Sequence, residues 1–316
     1  MYPLKFENIY IEKIWGGDEF KLFRDNLPKG SIGESWDISC RTNALSVIEN
    51  GEFKGKKLNE IIKTFGNDIL GSELEKYTFP LLIKLINARE NLSIQVHPND
   101  EYAKLYEKDH GKNEVWYVME ASTGANVVIG TKNCTKNEFK ELICKKEVSL
   151  DEMENYLNRI PVKIGDVFYI KSGLIHGIGK GVIIAEIQQS SDITYRAYDY
   201  ERGRELQIEK VMEVSDFSLT GDRILGKIEI FSGYSIIDYV HSDCLDIKLY
   251  NIDTSMIDFS SRKRFHTFTC VHGEGILKYE KGCITIKVGD SLLIPASLGK
   301  YEVIGQIKLL KTSYIY

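Results

Sequence analysis

The sequence predicts a mostly β protein made of two jelly-roll β-barrels, with a small helical insertion in the first. Many short runs alternate apolar and polar residues, as in 283–290, where Ile284, Ile286 and Val288 share one face of a strand. Helical spacing of apolar residues is confined to a few segments. A repeat along the chain indicates that its second half copies the plan of the first.

The helical segments have recognisable ends. Apolar residues at helical spacing in 58–65 are followed by Gly66, a residue suited to a helix C-terminus. Further along, two capping boxes precede apolar residues at helical spacing. They are formed by Thr135 with Glu138 and by Ser149 with Glu152. We therefore expect a small helical hairpin at about residues 134–160.

The repeat is clearest around two Gly-Asp dipeptides. Residues 162–173 reappear as 286–297 at an offset of 124, and 116–120 match 268–272 more loosely at an offset of 152. The first copy therefore holds about 28 extra residues, the size of the helical hairpin. Gly-Asp before an apolar strand, a small-residue turn and a histidine is typical of a cupin-type jelly roll, although ordinary hairpins also contain this dipeptide.

These patterns suggest two domains. We expect a catalytic domain over residues 1–215, with the helical insertion at about 134–160, and a cupin-like β domain over residues 216–316. The repeat offsets put Lys300, His266, Ile247 and Leu249 at the positions of His176, Glu114, Gln95 and His97. Because these four residues do not reproduce the amide, imidazole and carboxylate side chains that the first copy has at these positions, we expect no metal site in the second domain.

Composition argues against several classes of partner. The formal net charge of the 316 residues is -5 and the basic residues are scattered, which disfavours nucleic acid as a ligand. The N-terminus lacks the apolar run of a signal peptide, and no apolar run is long enough to cross a bilayer. Six widely spaced cysteines without a Cys-x-x-Cys pair fit reduced thiols. We expect a cytoplasmic protein that binds neither nucleic acid nor membranes.

Candidate metal ligands cluster in the first copy. The strand period of two puts Ser93, Gln95 and His97 on one face, and it puts Lys112 beside Glu114. His176 follows the Gly-Asp hairpin, at a rim where functional side chains are common. A lone strand histidine is more often a packing residue, but two imidazoles, a carboxylate and an amide oxygen together could hold zinc. The predicted metal ligands are Gln95, His97, Glu114 and His176.

Two charged residues downstream have functional and structural interpretations. Glu186 lies on the mostly apolar strand 181–189, where it is a candidate functional carboxylate or a satisfied structural one. Arg196 stands in an aromatic setting suited to binding an oxyanion or phosphate. An ion pair with Asp192 or Asp199 is the structural alternative for Arg196.

Together these residues resemble the type I mannose-6-phosphate isomerases, also called phosphomannose isomerases, in their short bacterial form. The resemblance covers essentially the whole chain. It rests on residues 14–17, 33–39, 80–86, 92–100, 112–117, 173–177 and 191–199. It implies a cupin-superfamily enzyme of mannose metabolism with one zinc ion per chain, held by the four predicted ligands.

The resemblance also implies a reaction and residue roles. The reaction is the reversible interconversion of mannose 6-phosphate and fructose 6-phosphate through a cis-enediol. Arg196 matches the family's catalytic arginine, while Glu186 and Lys112 match positions near the substrate, so either is a candidate for the proton carrier, with Glu186 favoured. The positions assigned to substrate binding are Lys84, Ser93 and Trp15.

Two other functional classes stay open. An iron dioxygenase on a cupin scaffold would use two histidines and one carboxylate, and Gln95 as a further ligand argues against it. A non-catalytic protein that senses sugar phosphates would be expected to lose Arg196 or the metal ligands, and this chain keeps both. In either case the partner is a small molecule, and we expect a monomer or a weak homodimer.

Overall fold

The computed structural model of the chain describes residues 1–74, 79–145 and 147–315. These residues form many strands and a few short helices, which confirms the predicted mostly β class. The predicted insertion includes residue 146 and the predicted second domain ends at residue 316; both positions lie outside the described residues. In the described part of the chain, no helix is long and apolar enough to cross a membrane.

The strands are β1 (Leu4–Lys5), β2 (Ile9–Gly17), β3 (Ile32–Ile38), β4 (Cys40–Arg41), β5 (Ala44–Leu45), β6 (Leu81–Ala88), β7 (Ile94–Val96), β8 (Glu114–Ala121), β9 (Asn126–Thr131), β10 (Leu157–Pro161), β11 (Val167–Ile170), β12 (His176–Ile178), β13 (Val182–Gln189), β14 (Tyr195–Tyr198), β15 (Lys227–Phe231), β16 (Tyr234–His241), β17 (Leu245–Ile252), β18 (Ser255–Phe259), β19 (His266–Tyr279), β20 (Gly282–Lys287), β21 (Ser291–Ile294) and β22 (Lys300–Tyr314). The helices are α1 (Leu58–Phe65), α2 (Asn67–Leu70), α3 (Asp100–Tyr102), α4 (Lys136–Ile143), α5 (Leu150–Glu154) and α6 (Ile208–Val214), with a 3₁₀ turn at Glu19–Leu22 and a π-helical turn at Ala103–Glu107.

Three antiparallel sheets organise the molecule. A six-stranded sheet has the order β11-β8-β13-β6-β3-β2, and a five-stranded sheet has the order β10-β9-β12-β7-β14. A nine-stranded sheet runs β1-β21-β19-β22-β17-β16-β15, with β18 added to β22 and β20 added to β19. The short strands β4 and β5 form a separate ladder.

The six-stranded sheet lies in the middle and is buried on both faces. On one face, Trp116 and Phe168 pack against Val127 and Ile178 of the five-stranded sheet. On the other face, residues of β6 and β13 join a core shared with the nine-stranded sheet. Burial on both sides explains why 80–86 is a nearly continuous apolar run, in which Lys84 is the exception.

The two Gly-Asp turns adopt the same geometry. Gly165 has φ +90° and Gly289 has φ +89°, a region that favours glycine. In the first turn the Asp166 carboxylate accepts a 2.9 Å hydrogen bond from the Lys163 N–H. In the second, Asp290 accepts a 2.9 Å bond from the Lys287 N–H.

Strand pairing after these turns reproduces both repeat offsets. Phe168 of β11 lies opposite Trp116 of β8, and Leu292 of β21 lies opposite Phe268 of β19. The predicted duplication is therefore confirmed at the level of backbone register, because the same pairs recur at the offsets read from the sequence.

The predicted equivalents of Gln95 and His97 are wrong. Phe259 of β18 pairs with Lys300 as Gln95 of β7 pairs with His176, so β18 is the counterpart of β7. The strand that carries the earlier candidates, β17, instead pairs with β22 as β6 pairs with β13. The error came from carrying one offset across loops that differ in length between the copies. Ile247 and Leu249 are thus replaced by Phe259 and Ser261.

The predicted helices form, but the helical insertion is shorter than predicted, because the residues from Leu157 to Ile160 belong to β10 and pair with β9. The α1 helix ends at Phe65, and the Gly66 N–H closes it with a 2.8 Å bond to the Ile62 carbonyl. Both capping boxes form; for example, the Glu138 carboxylate accepts a 2.7 Å bond from the Thr135 N–H. The α4 and α5 helices lie between β9 and β10 in the chain, and with α6 they cover the outer face of the five-stranded sheet.

Replacing the turn glycines with alanine should cost the two copies different amounts of stability. Gly165→Ala should lower the free energy of unfolding by about 1–2 kcal/mol because of the positive φ. Gly289→Ala should cost roughly 1–3 kcal/mol more, because its new Cβ would lie 2.9 Å from the Phe23 Cβ, whereas at Gly165 the nearest atom is 3.8 Å away.

Gly55→Ala is the matched control, since Gly55 has φ +81° and no atom within 4 Å of an added Cβ. Denaturant melts of the three variants measure the costs. Equal losses in all three would contradict the close contact at Phe23.

Candidate functional site

Three buried side chains lie close together in the first copy of the repeat, at the ends of β7, β8 and β12. His97 directly follows β7, Glu114 begins β8 and His176 begins β12. The His97 and His176 Nε2 atoms lie 3.1 Å apart, and the His97 Nε2 lies 3.2 Å from the Glu114 Oε1. Each of the three residues is at most 1 % exposed. The pairing of β12 with β7 brings the two histidines together across 79 residues of chain.

The hydrogen bonds of the two imidazoles fix which nitrogens carry lone pairs. The Nδ1 of His97 lies 2.8 Å from the Ile193 carbonyl oxygen, and the Nδ1 of His176 lies 2.8 Å from the Leu174 carbonyl oxygen. Because a carbonyl only accepts, each Nδ1 must be the donor, so both Nε2 atoms are unprotonated when the rings are neutral. Burial, aided by Lys112, lowers the pKa of His97 to about 3, and burial also lowers the pKa of His176.

The carboxylate completes an electron-rich centre. Burial alone would raise the pKa of Glu114, but the Lys112 cation holds it well below its usual value, so the group is ionised. Its Oε1 is buried and accepts no well-directed hydrogen bond, although the Lys112 Nζ is 3.0 Å away. Two facing lone pairs and an unsatisfied carboxylate oxygen, all within 4.8 Å, are a donor set that fits a divalent metal ion.

The predicted fourth ligand, Gln95, borders this cluster. Its Nε2 lies 3.4 Å from the His176 Nε2, and its Oε1 accepts a 3.1 Å bond from the Ser93 hydroxyl. A half-turn of the amide exchanges its oxygen and nitrogen, which would turn the oxygen toward the cluster and let the nitrogen donate to Ser93. Gln95 could therefore join the three other donors.

A pocket of about 260 Å³ borders the cluster. Seven residues predicted from the sequence line it: Trp15, Lys84, Ser93, Gln95, Lys112, Glu186 and Arg196. The structure thus gathers all ten predicted site residues at the pocket or at the cluster beside it. Sequence reasoning missed five polar lining residues: Lys13, Glu34, Asp192, Thr194 and Arg204. The spacing of two between Lys13 and Trp15, which puts both on one face of a strand, is the signal that could have found Lys13.

A second buried ion pair lines the pocket. Lys84 of β6 and Glu186 of β13 are directly opposite each other, with the Lys84 Nζ 2.7 Å from the Glu186 Oε1. The Trp116 indole N–H lies 3.0 Å from both the Glu186 and the Glu114 carboxylates and so bridges them. Burial and the nearby Glu114 charge raise the pKa of Glu186. Glu186 and Glu34 raise the pKa of Lys84 even though burial opposes this.

Arg196 lies on β14 opposite Gln95. Its Nη1 donates a 2.9 Å bond to the Glu205 carbonyl oxygen, and its buried Nε has no partner among the described residues. The predicted alternative, an ion pair of Arg196 with Asp192 or Asp199, is wrong: in the described part of the chain neither carboxylate lies within 4 Å of the Arg196 guanidinium, and Asp199 instead accepts a 2.8 Å bond from Arg204.

The other cations of the pocket are already paired with carboxylates. Lys13 lies 3.2 Å from Glu34, and Lys84 and Lys112 are paired as described above. Within the described ranges, Arg196 is therefore the one lining cation with no carboxylate partner within 4 Å. A guanidinium in this state is available to an anionic ligand.

Comparison with protein-family models gives two matches. Residues 4–142 match the catalytic domain of phosphomannose isomerase type I. Residues 235–314 match the cupin domain of mannose-6-phosphate isomerase. The two matches fall in the two copies of the repeat, which supports the predicted cupin likeness.

Relatives match along the whole chain. Mannose-6-phosphate isomerase ManA of Bacillus subtilis is 34 % identical over 310 residues, covering 96 % of each chain. Mannose-6-phosphate isomerase of Streptococcus mutans is 32 % identical over 319 residues, covering 98 % of this chain and 97 % of the relative. The crystal structure of the Bacillus subtilis mannose 6-phosphate isomerase superposes with a TM-score of 0.90 at 31 % identity, covering 99 % of both chains.

Removing one partner of the buried Lys84–Glu186 pair should be strongly destabilising. Lys84→Met leaves the Glu186 carboxylate buried without its cation and should lower the free energy of unfolding by about 3–5 kcal/mol. The double variant Lys84→Met/Glu186→Leu should recover most of that loss, because no charge is then stranded.

Denaturant melts at neutral pH measure both variants. Lys145→Met is the matched control, since Lys145 pairs with Glu152 at 2.7 Å but is 51 % exposed, and its loss should cost less than about 1 kcal/mol. A cost for Lys84→Met no larger than that of the control would contradict the buried-charge account.

Proposed function

The chain belongs to the type I phosphomannose isomerase family, and we propose that it interconverts mannose 6-phosphate and fructose 6-phosphate in the pocket beside His97, Glu114 and His176. The observation that carries this proposal is an electron-rich donor cluster beside a pocket lined by Arg196, a guanidinium with no carboxylate partner among the described residues. The first feature suits a metal ion and the second suits an anionic substrate.

We assign one divalent metal ion per chain, zinc, to His97, Glu114, His176 and Gln95. Zinc takes nitrogen and oxygen donors in a four-coordinate site, which agrees with the chemistry of these side chains. When bound, the ion supplies a Lewis acid that polarises a sugar oxygen and stabilises the negative charge of a developing enediolate. Lys112 keeps Glu114 ionised, as a ligand must be.

The isomerisation moves a proton between C2 of the aldose and C1 of the ketose through a cis-enediol. A residue must take that proton from one carbon and return it to the other. Glu186 is our preferred carrier because burial raises its pKa above the usual carboxyl value and it lines the pocket. Lys112 is the alternative, although its Nζ already faces the Glu114 carboxylate at 3.0 Å.

The remaining residues bind and orient the sugar phosphate. Five cations and three carboxylates line the pocket, an excess of positive charge that favours a phosphate ester over a neutral sugar. Arg196 would stabilise the enediolate oxygen or contact the phosphate. Lys84 holds Glu186 in place, Ser93 orients the Gln95 amide, and the buried Trp15 forms a wall of the pocket.

Two histidines and one carboxylate are also the donors of an iron dioxygenase site. Family membership and the neighbouring Gln95 amide both favour the isomerase over that alternative. We further propose that each copy is a jelly-roll barrel within the limits 1–215 and 216–316, and that the enzyme works in the cytoplasm. The matched Gly-Asp turns support the first of these proposals, and six free cysteines support the second.

Removing the metal should abolish the isomerase activity reversibly. Dialysis against a chelator should eliminate conversion of mannose 6-phosphate, and added zinc should restore it. His97→Gln should bind less than one-tenth as much zinc by elemental analysis, because it loses one of three close donors. His241→Gln is the control, since His241 is 76 % exposed and lies away from the cluster. Full activity of the metal-free protein would contradict the zinc assignment.

Arg196 should contribute to catalysis rather than to folding. Arg196→Ala should lower kcat/KM by roughly 10²–10³-fold, with zinc content and thermal midpoint near the wild type, because a preorganised cation is lost. Arg196→Lys should recover only part of the activity. Arg89→Ala, at an arginine 59 % exposed outside the pocket, should leave kcat/KM unchanged. Equal activity of Arg196→Ala and Arg89→Ala would remove Arg196 from the mechanism.

A further inference from the structure

The outer edge of the nine-stranded sheet is apolar and open. It is formed by β15 (Lys227–Phe231), all five residues of which are exposed. Ile228 is 60 % exposed and Ile230 is 80 % exposed, and Leu225 just before the strand is 83 % exposed. Single exposed apolar residues are common, but three within six residues on one strand edge form a patch that needs an explanation.

This edge has little protection against pairing. Among the described residues β15 pairs only with β16, and their register runs without a bulge from Lys227 to Phe231. Every second residue of such a strand presents an unpaired N–H and C=O outward. Proline and β-bulges commonly protect sheet edges, and β15 has neither; its protection is limited to its short length and to the charges of Lys227 and Glu229.

We propose that the edge strand β15 of a second copy of this chain covers β15, in an antiparallel pair related by a two-fold axis at Ile228. In that register Lys227 lies opposite the partner's Glu229, and Glu229 lies opposite the partner's Lys227. Lys227 and Glu229 are available for these opposite-charge pairs, because neither has an ion-pair partner among the described residues of one chain. Ile228 lies opposite the partner's Ile228.

Charge complementarity selects this register over its neighbours. A two-fold axis at Glu229 would put two glutamates opposite each other, and an axis at Ile230 would put Glu229 opposite the partner's Phe231. Opposite charges across an antiparallel pair stabilise it, whereas like charges destabilise it. Only the axis at Ile228 places both charged residues of β15 against opposite charges.

The apolar neighbours agree with the same register. Ile237 of β16 lies directly opposite Ile228 within one chain. Pairing at Ile228 would therefore continue a row of four isoleucines across the two-fold axis, two from each chain. Aliphatic side chains aligned across strands pack on the same face of a sheet, so the row would bury part of the exposed patch. The dimer would join two nine-stranded sheets into one.

Charge reversal tests both the partner and the register. Wild type should dimerise in sedimentation velocity runs between about 1 and 100 µM. Lys227→Glu alone and Glu229→Lys alone should each weaken the dimer by about tenfold or more, because each creates two like-charge pairs. An equimolar mixture of the two variants should regain the dimer, since the mixed pair restores both opposite-charge contacts.

Every outcome of these runs decides the proposal. Wild type that stays monomeric throughout overturns it and leaves the edge to a different partner. A dimer whose affinity is unchanged by both charge reversals must form through another surface. Single variants that do not form a dimer when mixed exclude the proposed register. Unchanged isomerase activity and thermal midpoint show that the variants are folded, because no β15 residue lines the pocket.

Cross-linking gives an independent readout of the two-fold axis. In a Cys144→Ser/Cys283→Ser background, which removes the exposed thiols, Ile228→Cys should form an intermolecular disulfide under mild oxidation. Residues directly opposite in an antiparallel pair have Cα atoms about 4.5–5.5 Å apart, within disulfide range. Ile230→Cys is the matched control and should not cross-link, since it would face the partner's Gly226. Cross-linking at both positions alike would rule out the proposed register.

Discussion

The site depends on one electrostatic constraint, the convergence of two imidazole lone pairs and an ionised carboxylate in a buried space. His97 and His176 face each other through Nε2 at 3.1 Å because both Nδ1–H groups are tied to backbone carbonyls. Neutral lone pairs at that distance repel unless a cation lies between them. The backbone therefore prepares the cluster to hold a metal ion, and Lys112 keeps its carboxylate charged.

The buried charges around this centre are coupled through the central sheet. Trp116 contacts both Glu114 and Glu186 through its indole N–H, and Lys84 neutralises Glu186 from the adjacent strand. Charges buried on strands of one sheet keep fixed separations, so each sets the protonation of the next. Most of the other buried residues on both faces of this sheet are apolar, so the charged site is a local feature of its core.

In the second copy of the repeat, the polar residues at the equivalent positions bond to one another. By strand pairing, His266 stands in the place of Glu114 and Lys311 in the place of Glu186. His266 bonds to the Tyr301 hydroxyl at 2.9 Å, Tyr301 donates to Asp258 at 2.8 Å, and Lys311 donates to Asp258 at 2.6 Å. These polar groups satisfy one another within the protein. In the first copy the Nε2 atoms of His97 and His176 and the Glu114 carboxylate instead lie within 4.8 Å of one another, an arrangement that fits a metal ion rather than a closed hydrogen-bond network.

The sequence by itself determined the β class, the duplication and the capped helices, because strand period, turn chemistry and capping are local rules. It also provided ten residues of the site, some from strand period and others through the family resemblance. Only the tertiary structure decided that Asp199 pairs with Arg204 and leaves Arg196 without a carboxylate partner among the described residues, and that Lys13 and Glu34 line the pocket. It also replaced Ile247 with Phe259 as the counterpart of Gln95. Pairing between strands distant in the chain depends on loop lengths and packing, which no local pattern specifies.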